Sequence, residues 1–160
     1  MKNQWKLLAT FLVVFLFGCA APMKAPIEAD ADAKIFNPIK DKAAVFVYRN
    51  ENFGGAVGMP VKVNGLDIGE TGAKTFFRLN LAAGTYLISS EAENTSQLQI
   101  PVVQGRNYYV WQEVRMGIWK ARSSLRLVDE KTGMEGVLES VLLTPKVTDE
   151  MLSKSVVVKK

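Results

Sequence analysis

Apolar positions from Ala43 onward recur with a period of two in short runs broken by glycine, asparagine or proline. That period predicts strands, because successive side chains of a strand point to opposite faces of a sheet. "AAVFVYRN", beginning at Ala43, is apolar on both faces: Val45 and Val47 on one, Phe46 and Tyr48 on the other. It reads as a central strand covered on both sides. "PVKVNGLDIGET", Pro60 to Thr71, is a hairpin around Asn64-Gly65, a pair suited to the two positive φ angles of a type I′ turn. Pairing across that turn sets Val63 opposite Leu66, Lys62 opposite Asp67 and Val61 opposite Ile68. The four aliphatic side chains then share a face, and the one basic–acidic pair meets on the other.

Further along, "TFFRLNLAAGTYLISS", Thr75 to Ser90, reads as a second strand pair with Gly84 in its connection. "QLQIPVV" turns Leu98, Ile100 and Val102 inward, and Pro101, which lacks an amide donor, marks an edge strand. "YYVWQEVRM" sets Tyr108, Val110, Val114 and Met116 on one face, with Gln112 the polar exception, and Tyr109, Trp111, Glu113 and Arg115 on the other. Gly117 reads as a bulge, and Ser124 to Asp129 as a further strand. Beyond Gly133 the period lengthens. Val137, Leu138, Val141 and Leu142 suit a short helix ending before Pro145, and "TDEMLSKS" suits another capped by Thr148. Seven or so short strands without βαβ alternation predict an all-β domain, a small antiparallel β-sandwich, with short helix in the C-terminal extension.

The N-terminal pattern differs in kind. Lys2 and Lys6 precede eleven nearly wholly apolar residues, Leu7 to Phe17. A membrane-crossing helix needs about 20 such residues, so this run fits the core of a secretory signal peptide. "Leu16-Phe17-Gly18-Cys19" resembles a bacterial lipobox, with Phe17 bulkier than the usual residue there. The resemblance implies cleavage between Gly18 and Cys19, a diacylglycerol thioether on the Cys19 sulfur, and an acyl group on its nitrogen. Two or more acyl chains hold a protein firmly where one does not. Ala20 after the cysteine resembles the sorting pattern of outer-membrane lipoproteins facing the periplasm. Ala20 to Pro38 contains three prolines and little periodicity. It reads as a flexible tether of about 25 Å root-mean-square span, with a short helix over Glu28–Lys34 as the alternative. The expected organisation is a signal peptide over 1–18, lipidated cysteine and tether over 19–40, sandwich over 41–130 and extension over 131–160.

Composition narrows the chemistry. The chain has no histidine and one cysteine, so no His triad, His/Cys metal site or internal disulfide can be assembled. The net charge of +4 falls to about +2 without Lys2 and Lys6, too little to argue for nucleic acid. No cofactor is expected. Glu91 with Glu93 is a weak acid/base pair, and Asp129-Glu130 or Asp30 with Asp32 supply too few ligands for calcium.

The series "VYRNENFGGA…VKVNGLDIGET…TFFRLNLAAGTYLISSEAE" is similar to the bacterial family called domain of unknown function 2846 and to PEGA-type small β-domains, with Ala83 where the latter commonly carry proline. The resemblance spans about Ala43 to Val128. It implies a prealbumin-like or immunoglobulin-like sandwich on a secreted lipoprotein, and no known reaction. Two candidate binding surfaces follow from the residues: Tyr109, Trp111, Glu113 and Arg115 as an aromatic and charged strand face, and Arg49 with Asn50 in a glycine-rich turn. The leading expectation is a non-enzymatic, lipid-anchored binding or scaffolding module. Its contact is an edge strand or the aromatic face, and its partners are the membrane and an envelope protein or glycan. A histidine-free hydrolase of envelope glycan or peptide, and a carrier of lipid or another apolar ligand, are the alternatives.

Overall fold

A computed structural model of the chain describes residues 22–52 and 57–156. The segment read as a signal peptide, with Gly18 and Cys19, lies outside the described residues. Among the described residues, nine strands and three short helices follow in order: α1 (Ile27–Ala33), β1 (Ala43–Arg49), β2 (Met59–Val63), β3 (Leu66–Thr71), β4 (Thr75–Leu81), β5 (Gly84–Glu91), β6 (Thr95–Val102), β7 (Asn107–Met116), β8 (Ala121–Val128), α2 (Glu130–Leu138), β9 (Val141–Leu142) and α3 (Asp149–Lys154). They form a small β-sandwich. One sheet has the order β8-β7-β1-β4-β9, the other β3-β2-β5-β6.

The four-stranded sheet is antiparallel throughout. The five-stranded sheet is mixed, a detail the antiparallel reading did not contain: β1 runs parallel to β7, and β4 parallel to β9. Helix α2 supplies a crossover of the βαβ kind between β8 and β9, at opposite edges of this sheet. β1 is central and buried along its whole length, as its two apolar faces require. Val45 and Val47 face the second sheet, with Phe77, Leu79, Val110, Val61, Val63, Ile68, Tyr86, Ile88 and Ile100 in one core. Phe46 and Tyr48 face outward into a second core with Phe76, Tyr109, Ala33, Phe36 and Val137.

The outer core exists because α1 and α2 cover that face. Gly133 and Gly136 lie one turn apart on α2. A Cβ at either position would sit 2.2 Å from the Tyr109 Cβ and Cγ atoms, or 2.1 Å from the Tyr48 ring. Their absence lets the helix backbone rest directly on two tyrosines of neighbouring strands. Phe36, just past α1, completes an aromatic cluster, 5.6 Å from Phe46 and 6.1 Å from Tyr109 between ring centres. The segment read as a tether is therefore folded from Pro22 onward. Its prolines bracket α1 instead of breaking it, with Pro26 at the N-cap and Pro38 beyond the end. Asp30 ties the helix down by accepting from the Leu142 amide at 2.7 Å.

Asn64 and Gly65 have φ of 49° and 85°, as a type I′ turn requires. Val63 pairs with Leu66 and Lys62 with Asp67, but a bulge then sets Val61 opposite Gly69, not Ile68. Ile68 still points inward and is fully buried. The expected Lys62–Asp67 contact is replaced by Lys62–Glu91 at 2.6 Å and Lys146–Asp67 at 2.7 Å, because the longer-range partners lie alongside. β4 and β5, read as a pair, belong to different sheets, and Ala82-Ala83 crosses between them. β6 is an edge strand, as Pro101 predicted. In the C-terminal extension, Val141–Leu142 is a strand and not the end of a helix. α3 begins at Thr148 as read, with Thr148 Oγ1 accepting from the Met151 amide, and it buries Leu152 in the inner core.

The register also fixes which loops share an end. Arg49 pairs with Thr75, Tyr48 with Trp111, Met59 with Thr71 and Glu91 with Thr95. The upper end of the sandwich therefore gathers the loop after β1, the 72–74 turn, the 92–94 loop and the 117–120 apex of the β7–β8 hairpin. Pro22 reaches this end too: a Cβ on Gly72 would lie 4.0 Å from the Pro22 ring.

Candidate functional site

The strand face of Tyr109, Trp111, Glu113 and Arg115 is divided by α2. Tyr109 lies beneath the helix, 1% exposed and stacked on Phe46 at 5.2 Å. It is core, which removes the first aromatic from the expected platform. Burial pushes its hydroxyl up in pKa, as it does that of Tyr48, pushed up to about 12 by burial and then by Glu51 and Asp129. The other three stay together beyond the helix. Arg126, opposite Trp111 in the β7–β8 ladder, lies 4.5 Å from the Trp111 ring centre. Glu113 accepts from Arg126 at 2.9 Å and from Arg115 at 2.8 Å. The surface is a half-buried indole under a guanidinium, with one carboxylate shared between two arginines. It can present two cations in fixed positions and one aromatic edge, a chemistry for recognition.

Arg49 is likewise not a surface residue. It is wholly buried, and its Nη1 donates to the Val57 carbonyl at 2.7 Å. It clamps the far side of the 50–58 loop to the end of β1. Burial pulls its pKa down while Glu51 beside it acts the other way. Asn50 is half-buried next to it. The pair organises a loop more than it offers a binding surface. Of the carboxylates considered, Asp129 caps α2 by accepting from the Thr132 amide at 3.0 Å, and Glu91 bonds to Lys62.

The sheet edges are engaged as well. Asn94 joins β8 through Ser123, accepting from its amide at 3.0 Å and donating to its carbonyl at 2.9 Å, and Ser96 accepts from the Leu125 amide. On the other side Lys24 bridges Leu143, covering the outer edge of β9. Part of each edge is thus used within the molecule, which leaves less of it for strand addition by a partner. Two open depressions lie outside the sheets. One of about 600 Å³ runs along α2 past Glu130, Met134 and Glu135. Another of about 320 Å³ lies between α1 and residues 142–145, above Arg78 and Asn80. Arg78 there is paired with Asp32, and Asn80 with Asp149.

Sequence reading missed the hairpin apex. Gly117 ends β7 and is a turn residue, not a bulge within a strand. Met116, Ile118 and Trp119 are 78%, 80% and 90% exposed. Glu93, across the sandwich end, accepts from the amides of Ile118 at 3.1 Å, Trp119 at 2.7 Å and Lys120 at 2.8 Å. These three bonds hold its carboxyl below the ordinary glutamate range. The signal that was available is "MGIWK": three large apolar residues at a turn, out of step with either face of the strand.

A two-sheet β-sandwich, helix-covered on one face, with an aromatic and charged patch on β7 and β8 and an exposed apolar tip at their hairpin, is the class these observations define. The chain belongs to the family described as Protein of unknown function (DUF2846), whose pattern matches residues 39–124. It is also similar to an uncharacterized protein of Haemophilus influenzae, 29% identical over 128 residues, covering 79% of this chain and 76% of the relative. No solved structure matches.

Proposed function

We propose that the protein is a lipid-anchored module of the bacterial envelope, held through Cys19 at the periplasmic side of the outer membrane, that binds or scaffolds envelope components without catalysing a reaction. The observation that carries this reading is the sequence Leu16-Phe17-Gly18-Cys19 directly after the apolar run Leu7 to Phe17. Its neighbourhood adds support. Only two residues separate Cys19 from Pro22, the first residue the structure describes. Three peptide steps reach about 10 Å at most. A domain so closely tied is concentrated against partners in or on the same membrane. The Trp111, Glu113, Arg115 and Arg126 surface is the contact we assign to an envelope protein or glycan, since aromatic and arginine side chains dominate recognition surfaces.

Mass spectrometry of the protein from its own envelope tests the anchor. The expected product begins at Cys19 and carries diacylglycerol and acyl groups; an intact leader with a free thiol sinks the reading. For the recognition surface, crosslinking in the envelope should recover a partner from wild type that Trp111→Ala with Arg126→Ala fails to recover. Equal recovery from both rejects the assigned surface.

A further inference from the structure

The β7–β8 apex displays apolar side chains that the fold does not need. Met116, Ile118 and Trp119 project into solvent, yet the backbone that carries them is fixed. Three consecutive amides converge on the Glu93 carboxylate, and the Glu93 amide donates to Ala121 at 3.1 Å. A Cβ at residue 117 would stand 2.0 Å from the Lys120 carbonyl and 2.7 Å from Glu93, so only glycine permits this closure. A loop that merely connected two strands would have no reason to hold an indole and an isoleucine outward so firmly. The rim is cationic: Lys120 and Arg122 are exposed around the apolar tip. The two nearby carboxylates are occupied, Glu93 by the amides and Glu113 by two arginines.

Three features of this tip identify its occupant. First, its three large apolar side chains stand 78%, 80% and 90% exposed at a four-residue link between β7 and β8, free of contacts that would occupy them within the fold. Second, tryptophan amid apolar residues with flanking arginine and lysine is the composition that settles at the headgroup level of a bilayer, where cations reach anionic lipids. Third, the tip and the N-terminal attachment share one end of the sandwich. Pro22 lies against the 72–74 turn that opens β4, and β4 is two strands from β7, about 10 Å away. Beyond Pro22 lie Cys19 and the apolar run Leu7 to Phe17.

We infer that the hairpin tip formed by Met116, Ile118 and Trp119, with Lys120 and Arg122, is a second membrane contact that inserts into the headgroup region of an anionic lipid surface and fixes the orientation of the sandwich. The third argument rests on the Cys19 anchor; the first two do not. With anchor and tip on one end, the upper end faces the lipid, and the opposite end, with Asn64-Gly65 and α3, faces away.

The test uses the full chain purified from its membrane and reconstituted in vesicles of phosphatidylethanolamine and phosphatidylglycerol. Trp119 emission is isolated by subtracting that of Trp119→Phe, and read with brominated acyl chains and with aqueous acrylamide. The expected result is loss of most of the Trp119 emission to the brominated lipid, a blue shift, and protection from acrylamide. Trp119 that floats with the vesicles but is quenched by acrylamide overturns the tip contact and leaves the anchor standing. Trp119 shielded from acrylamide yet untouched by bromine is covered by protein, and overturns it as well. Bromine quenching in material whose Cys19 is unmodified upholds the tip and rejects the anchor, and failure to float rejects both. Ile118→Asp with Trp119→Asp, at exposed positions that leave the core intact, serves as a second reading: anchored protein bearing both should show markedly greater protease access at the upper end.

Discussion

Gln112 sits among buried side chains where the alternation of β7 calls for an aliphatic residue, and it is fully buried. Its amide spans the two sheets, Nε2 donating to Ser90 Oγ at 2.6 Å while Oε1 accepts from Thr71 Oγ1. Thr71 and Ser90 belong to the sheet opposite β7, so this bond set is a polar rivet through an otherwise apolar interior. Replacing Gln112 with leucine keeps the volume but takes the Ser90 hydroxyl's donor away and leaves the buried Thr71 hydroxyl only a long bond to the Met59 carbonyl, 3.4 Å. Gln112→Leu should lower stability by about 1–3 kcal/mol, read as a lower urea midpoint at unchanged slope; an unchanged midpoint would show that the rivet contributes nothing. Glu93 makes the complementary case. Its carboxyl titrates lower in the folded chain because three amides donate to the ionised form. Its contribution to holding the tip is therefore present above the unfolded glutamate range and is lost only as pH falls through the depressed folded value. NMR titration of the side-chain carbonyl should give a midpoint below the ordinary glutamate range, with the amide shifts of Ile118, Trp119 and Lys120 following the same curve and that curve absent in Glu93→Gln. A midpoint at the ordinary value would contradict the hydrogen-bond assignment. Gln112 was legible as a break in a pattern, although its partners were not. Glu93 was not legible, since its partners are 25 to 27 residues away and are backbone groups, which leave no mark on composition.

At the level of elements, local rules succeeded where local chemistry decides. The Asn64-Gly65 turn, the alternation of β6 and β7, and Thr148 at the start of α3 were all readable because a turn, a pleat and a cap depend on near neighbours. Helix α1 falls where a short helix over Glu28–Lys34 was the alternative to a tether, but the span of α2 was hidden for a different reason. α2 contains two glycines in nine residues, each costing about 1 kcal/mol against alanine in a helix, so propensity argues against it. It forms because those glycines allow contact with Tyr109 and Tyr48, a tertiary gain invisible along the chain. Gly133→Ala separates the two effects. Propensity alone predicts a gain of about 1 kcal/mol. The steric reading predicts the reverse, a net loss of about 1–3 kcal/mol, because a methyl 2.2 Å from Tyr109 must lift the helix or twist the ring. The near-UV circular dichroism of the buried tyrosines should weaken with it, while Lys131→Ala on the exposed side of α2 should leave both spectrum and midpoint unchanged. A stabilised Gly133→Ala protein would refute the close approach. The β4–β5 misreading has the same origin: two alternating runs joined by a short link look like a hairpin, and only the packing of both sheets tells that the link crosses between layers.

For the molecule as a whole, the segment matched by the family, residues 39–124, is smaller than the unit that closes the two cores. The inner core takes Leu143 and Leu152 from beyond it, and the outer core takes Ala33, Phe36, Val137 and Leu142. Without these, Phe46, Tyr48, Phe76 and Tyr109, now almost wholly buried, would form one exposed aromatic face. A patch of that kind drives association when nothing covers it. Burial of Leu152 alone is worth about 2 kcal/mol, a large share of the stability of a domain this size. A fragment of residues 39–124 should therefore aggregate or show no cooperative transition, whereas residues 22–156 should unfold in a single step with one midpoint by fluorescence and far-UV circular dichroism. A cooperative, soluble 39–124 fragment with the near-UV spectrum of the longer chain would show that α1, α2, β9 and α3 are accessories. If they are integral, residues 22–156 behave as one body, and in sequence Cys19 stands two residues before the first described one. Under the proposed Cys19 anchor, orientation at the membrane is then constrained by the fold, because so short a link limits how far the body can turn.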